Sequence, residues 1–216
     1  MIYLGWGALY EGETDAQYYN ALIPRVMTEI VLRRQARATV IPDVPSVRLS
    51  RGTVSQVAEE ACRAADAFHL VFIHSDTGGR GSQETLLNRT VSYCAEMQKI
   101  CGWKPVRCVA IAPRHETEAW VLADPSAIMA ALGSRALPAS LGLPADANQA
   151  EQLTDPKDVL TRAIRQASGR RRRQMEAKYL YSTIGEQQSL DRLRVAASFM
   201  EFEARLTDAL VDVGCI

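Results

Sequence analysis

The chain has 216 residues, 47% apolar and 23% charged, enough for one good core with a small appendage and too few for two full domains. This composition excludes disordered, collagen-like and coiled-coil chains. Lys plus Arg (25) equals Asp plus Glu (25), so no global field draws the protein to nucleic acid or an anionic membrane, and any such affinity rests on a local patch.

In chain order, residues 2–10 form the first apolar run and read as a buried strand. Thr14-x-x-Gln17 is a capping box for a helix reaching about Arg34. Residues 38–49 are broken by Pro42 and Pro45 and read as an edge strand with a loop. Thr53-x-x-Gln56 opens a helix to about Asp66, residues 69–74 (H-L-V-F-I-H) form a second buried strand, and residues 83–100 a third helix ended by Gly102 and Pro105. Residues 106–112 are a third buried strand. Asp124-Pro125 and Asp155-Pro156 each place an N-cap before a proline at the first helical position, with Gly133 closing the first of these helices. Residues 134–155 read as an irregular connector, and Leu190, Leu193, Ala197, Met200 and Leu206 as the apolar stripe of one long C-terminal helix.

Alternating strands and helices predict an α/β fold over 1–133, a mostly parallel sheet flanked by helices, with 134–216 a connector and helical C-terminal subdomain on that core. No apolar stretch approaches the roughly 20 residues of a bilayer span, and Met1-Ile2-Tyr3-Leu4 lacks a basic leader region. The five cysteines, Cys62, Cys94, Cys101, Cys108 and Cys215, are odd in number and contain no C-x-x-C pair. The expectation is therefore no disulfide framework, no zinc clip and a cytoplasmic location. Cys94 and Cys101, two helical turns apart, are expected to pack on one helix face.

Ligands of open parallel sheets bind outside the carboxyl ends of the strands, and here each strand runs into acid. The first reaches Glu11 in Y-E-G-E-T-D, the second Asp76 in H-S-D-T-G-G-R-G, and the third leads through Pro113-Arg114 to His115-Glu116-Thr117-Glu118. Carboxylates gathered at one edge repel one another unless a cation sits among them, and oxygen ligands suit Mg²⁺ or Mn²⁺. Each acid also has a structural reading: Asp15 as a first-turn helix acid, Asp76 as a turn residue, Glu116 and Glu118 as helix-start acids, Asp124 as an N-cap. Gly12 lets a phosphate or metal approach the backbone, and Gly78, Gly79 and Gly81 do the same after Asp76, with Arg80 available to a phosphate. No P-loop or dinucleotide fingerprint accompanies them. His69 and His74 read as structural, with His115 beside the site. The run Arg170 to Arg173, containing Arg171 and Arg172, is a solvated face or a grip on a nucleic-acid backbone, with Arg33, Arg34, Arg37 and Lys178 as possible additions.

The pattern E11-G12-E13-T14-D15 followed by a strand ending in Asp76 resembles the Toprim fold of topoisomerases, primases and OLD-type nucleases. Four further segments resemble a Toprim-like family of unknown function (domain of unknown function 4276). These are P-R-H-E-T-E-A-W-V-L-A-D at 113–124, D-P-K-D-V-L at 155–160, K-Y at 178–179 and S-F-M-E-F-E-A-R-L at 198–206. The resemblance implies a Rossmann-like Toprim core with a Mg²⁺ site, Glu11 as the Toprim glutamate, Asp76 as its first aspartate and Glu118 as the family's E-A-W acid. It also implies an ABC/AAA-type ATPase partner and anti-phage defence. Gly78 departs from the usual Asp-x-Asp, so Asp15, Glu118 or Asp124 would have to supply the missing carboxylate. The expected activity is metal-dependent cleavage of DNA or RNA, with Glu11, Asp76 and Glu118 catalytic, Asp15 a further ligand, and Arg80 and Lys178 phosphate clamps. The competing expectation is a degenerate Toprim-like module that senses for, or regulates, an ATPase.

Overall fold

A computed structural model describes residues 1–34, 38–75, 83–168 and 177–216, the side chains at 83, 85, 86, 168, 177 and 178 excepted. Four parallel strands form the main sheet in the order β4-β2-β5-β6: β2 (Trp6–Leu9), β4 (Val47–Arg48), β5 (Leu70–His74) and β6 (Cys108–Ile111). A separate parallel pair joins β1 (Ile2–Tyr3) to β3 (Thr39–Val40). The expected single strand over 2–10 is thus two. Its backbone changes partner at Leu4-Gly5, where Leu4 N–H donates to Val40 while the Gly5 carbonyl accepts from His69. A Cβ at Gly5 would lie 2.6 Å from the Ala67 carbonyl oxygen, which requires glycine at that crossing.

The sheet is covered on both faces, as its near-continuous apolar strands require. Leu70 and Phe72 of β5 enter one core cluster with Trp6 and Ala8, while Val71 and Ile73 enter the other with Leu9. This alternation is the period-2 signature of a strand buried on both sides. The smaller cluster lies under α2 (Val54–Arg63) and α3 (Gln83–Cys101). The larger lies under α1 (Glu13–Arg33), α4 (Thr117–Val121), α5 (Pro125–Leu132), α6 (Ala147–Glu151), α7 (Pro156–Ser168), α8 (Ala177–Gln187), α9 (Leu190–Leu193) and α10 (Ala197–Asp212). Both parts of the chain, before and after residue 133, join that one cluster. Asp212 of α10 further ties to Lys104 (2.9 Å) and Arg107 (2.7 Å) just before β6.

Several local signals hold. Thr53 and Gln56 make their reciprocal capping box on α2, Asp124 caps α5, and Gly133 ends α5 in the left-handed region (φ 58°). Others are corrected. Gly12, not Thr14, is the N-cap of α1, and it makes no side-chain cap bond. The expected C-terminal helix is two, because the Glu151 carboxylate accepts from Ala197 N–H and Ser198 N–H (both 3.0 Å) and so starts α10 afresh. The break shifts the helical phase. Phe199 and Phe202 are buried instead of Met200, which is exposed.

The cysteines also depart from expectation. Cys62 is bonded to Cys101 and Cys94 to Cys108, with Cα separations of 5.8 and 6.0 Å, and Cys215 is a buried free thiol. The packing of α2 on α3, and of α3 on β6, brings together sulfurs that the linear spacing keeps apart. No helix among the described residues is long and apolar enough to cross a membrane.

Candidate functional site

Three strand ends meet through one hydroxyl. Asp15 stands in the first turn of α1 after β2, His74 is the last residue of β5, and Thr117 opens α4 after β6. Thr117 Oγ1 donates to Asp15 Oδ1 at 2.6 Å. It lies 3.2 Å from His74 Nε2 and 3.1 Å from the Tyr19 hydroxyl, one helical turn beyond Asp15. A hydroxyl has one proton and two lone pairs. With that proton committed to Asp15, Thr117 accepts from Tyr19 O–H and from His74 Nε2–H, which sets the imidazole tautomer. Burial, and next the charge of Asp15, raise the Tyr19 phenol well above its ordinary range, so it remains a donor. His74 and Thr117 are each 1% exposed, and His74 Nδ1 lies 3.9 Å from Asp15 Oδ2. A Cβ at Gly12 would sit 2.7 Å from Asp15 Oδ2. Glycine there leaves room for the aspartate to fold back over the turn.

A second acid centre adjoins the first. Glu118 on α4 is 4% exposed and accepts from the Tyr181 hydroxyl of α8 at 2.6 Å. Tyr181 is held neutral mainly by burial, then by the charges of Glu118, Asp15 and Glu116. Three carboxylates therefore press on one phenol. The turn leading into α4 is unusual: Glu116 N–H donates to the Arg114 carbonyl (3.0 Å) around His115, whose φ is 69°. A left-handed non-glycine residue at a strand end is a feature that concentrates at functional sites.

A cavity of about 320 Å³ opens over the carboxyl ends of β2, β4 and β5. Its wall includes Tyr10, Glu11, Arg51, His74, Ser75 and Tyr93. Glu11 thus faces the cavity. Asp15 and Glu118 lie in the hydrogen-bonded network, Glu118 buried on α4 and Asp15 with its side chain 17% exposed. Asp76, Arg80, Arg171 and Arg172 lie outside the described residues, as does the side chain of Lys178. Among the described residues no three His, Cys, Asp or Glu side chains form a metal-holding group. Glu11, Asp15 and Glu118 thus offer the oxygen chemistry that Mg²⁺ prefers without making a complete site by themselves.

Other expectations resolve into structure. Asp124 accepts from Ser126 and Ala127 N–H (3.1 and 3.4 Å), from Ser189 N–H (3.0 Å) and from Arg192 (3.0 Å), so it is an N-cap and ion-pair residue. Arg33 pairs with Glu29 and Asp191. The E-A-W segment is a fastening. The Trp120 indole donates to Ser198 Oγ (2.7 Å), and its carbonyl accepts from Gln188 (2.6 Å), which in turn accepts from Tyr18 O–H (2.6 Å). Thr117, Tyr19, Tyr181, Arg51 and Tyr93 were not singled out by sequence. Only Thr117, inside the acidic segment after the third strand, carried a signal that could have found it.

No curated protein and no solved structure matches the chain. Residues 10–207 match the model of a domain of unknown function (DUF4276), and the chain belongs to that family.

Proposed function

We propose that the protein is a Toprim-like, metal-dependent phosphodiesterase acting on DNA or RNA. The observation that carries this reading is the gathering of Glu11, Asp15, Glu116 and Glu118 about the carboxyl edge of a parallel sheet, beside an open cavity. In open α/β sheets that is where ligands bind. Mg²⁺ or Mn²⁺, held by Glu11 and Asp15 with Asp76 from the segment after β5, would activate water and offset charge on the phosphate. Glu11, on the cavity wall, acts as ligand or base. Thr117 holds Asp15 in one orientation and Tyr181 holds Glu118, so neither acid must be ordered when substrate arrives. Arg80 and Lys178 are proposed phosphate clamps, with Arg171 and Arg172 gripping the flanking backbone. An ABC/AAA-type ATPase partner and a defence role against phage belong to the same proposal.

The second reading, a degenerate Toprim-like module regulating such an ATPase, is favoured by Gly78 at the position of the second aspartate. Cleavage of labelled single- and double-stranded DNA and RNA in Mg²⁺ or Mn²⁺ separates the two. The enzyme reading predicts loss of at least 100-fold in Glu11→Gln and Asp76→Asn, as removal of a general base or ligand typically costs. Absence of cleavage in the wild-type protein decides for the module, and full retention of cleavage in both variants refutes Glu11 and Asp76 as the site.

A further inference from the structure

Resting on the phosphodiesterase reading, we infer that Arg51 and Tyr93 form a subsite for one unpaired nucleotide of the substrate, Arg51 on its phosphate and Tyr93 against its base. Both residues line the same cavity as Glu11, yet they come from the other side of the sheet from Asp15 and Thr117. Arg51 follows β4, and Tyr93 stands on α3. The floor between them is made by His74 and Ser75 at the end of β5.

Arg51 is exposed, and among the described residues no ion pair or hydrogen bond engages its guanidinium. Arg48, three residues earlier, reaches Glu13 at 2.8 Å and is not available in the same way. The backbone beneath Arg51 is nonetheless fixed. Leu49 is buried and donates to the Ala8 carbonyl (2.8 Å), and Ser50 donates through N–H and Oγ to Glu60 (3.0 and 3.2 Å). A fixed loop that places Arg51 on the cavity wall, with no ion-pair partner among the described residues, has the layout of an anion seat, since guanidinium meets phosphate in a bidentate fork.

Tyr93 is half-buried and packs against the α2/α3 core, which leaves part of it to the cavity. Its neighbour Cys94 is tied to Cys108 of β6, so the helix holds the ring at a set height above the sheet. Aromatic rings stack on any nucleobase but only on one that is unpaired. About 320 Å³ is at the small end of ligand sites and suits one nucleotide, not a duplex.

The test is fluorescence anisotropy with the full chain in EDTA, using short labelled oligo-dT and oligo-U, an abasic strand of equal length and a blunt duplex. The two single strands distinguish DNA from RNA. The subsite predicts single strands bound more tightly than duplex. Affinity for them falls about tenfold or more in Arg51→Gln and Tyr93→Leu and is kept in Tyr93→Phe. Arg51→Gln also lowers the salt slope by about one, whereas Tyr93→Leu leaves abasic-strand binding unchanged. Wild-type affinity in Arg51→Gln or Tyr93→Leu, equal loss in Tyr93→Phe, or no preference for single strands overturns it. Binding in EDTA that behaves as predicted, with no cleavage in Mn²⁺, keeps this subsite and removes the nuclease reading. Cleavage with both variants binding normally does the reverse.

Discussion

Thr117 spends one proton on Asp15 and its lone pairs on Tyr19 and His74. Thr117→Val keeps the shape and removes the hydroxyl, and with it one partner of the Asp15 carboxylate, the Tyr19 phenol and the His74 imidazole. An unsatisfied buried polar group costs about 1–3 kcal/mol, so urea unfolding should show a loss of about 2–3 kcal/mol. A loss under half a kcal/mol would mean that the three neighbours re-pair among themselves. Tyr181→Phe should cost about 1–3 kcal/mol for the same reason, since Glu118 is buried and loses its donor. Of this network the acids alone were legible in the sequence, because strand ends that run into acid form a pattern. His74 read as structural, and it is buried within this network beside Thr117. Tyr181, 63 residues from Glu118, carries no local mark of its role, since such a contact exists only once α8 is docked.

Gly185 sets the contact between α1 and α8. A Cβ there would meet the Tyr18 carbonyl oxygen at 2.7 Å and the Ala21 Cβ at 2.9 Å. Helix propensity alone favours Gly185→Ala by up to about 1 kcal/mol. The clash opposes it by about 1–3 kcal/mol, as overpacking does, and backbone cannot move aside as a flexible side chain can. The expected result is a lower melting temperature; a higher one would show that α8 shifts freely. At this scale the sequence was most legible where a cap is local, as at Thr53-Gln56 and Asp124-Pro125-Gly133. It was least legible where a distant residue supplies the cap. Glu151 ends one helical turn far along the chain yet starts α10, so the apolar period read across 190–206 was joined through a break.

The molecule as a whole is a three-layer α/β fold in which α2, α3 and β6 are cross-linked by sulfur. Cystine loops of 14 and 39 residues each stabilise by about 3 kcal/mol or somewhat more if they act by restricting the unfolded chain. Thiol titration of the denatured, unreduced protein should find one thiol, Cys215, of five; finding five would contradict the pairing. The odd cysteine count was readable and the pairing was not, because it depends on α2, α3 and β6 being packed together. The buried phenols predict a pH response. Burial is the main cause that raises Tyr10, Tyr18, Tyr19 and Tyr181 above the ordinary tyrosine range. The unfolded chain therefore releases protons above about pH 10 that the folded chain keeps. The stability these groups contribute is complete below that pH and declines as pH rises beyond it. Tyrosinate absorbance from these four should therefore appear together with unfolding, not before it.

The parallel sheet and its acid-tipped strands were visible from apolar runs and their flanks, whereas Arg51 and Tyr93 reach one cavity only through the folded topology. The central claim is that Glu11 and Asp76 share a divalent cation at that edge. The most direct measurement is the melting temperature of the intact protein against Mn²⁺, compared with a Glu11→Gln/Asp76→Asn variant. At about 100 times Kd a ligand of the folded state adds about 2.7 kcal/mol, or roughly 5–10 °C for a chain of this size. The account predicts that rise in the wild-type protein and its loss in the variant; no rise, or an equal rise in both, would contradict it.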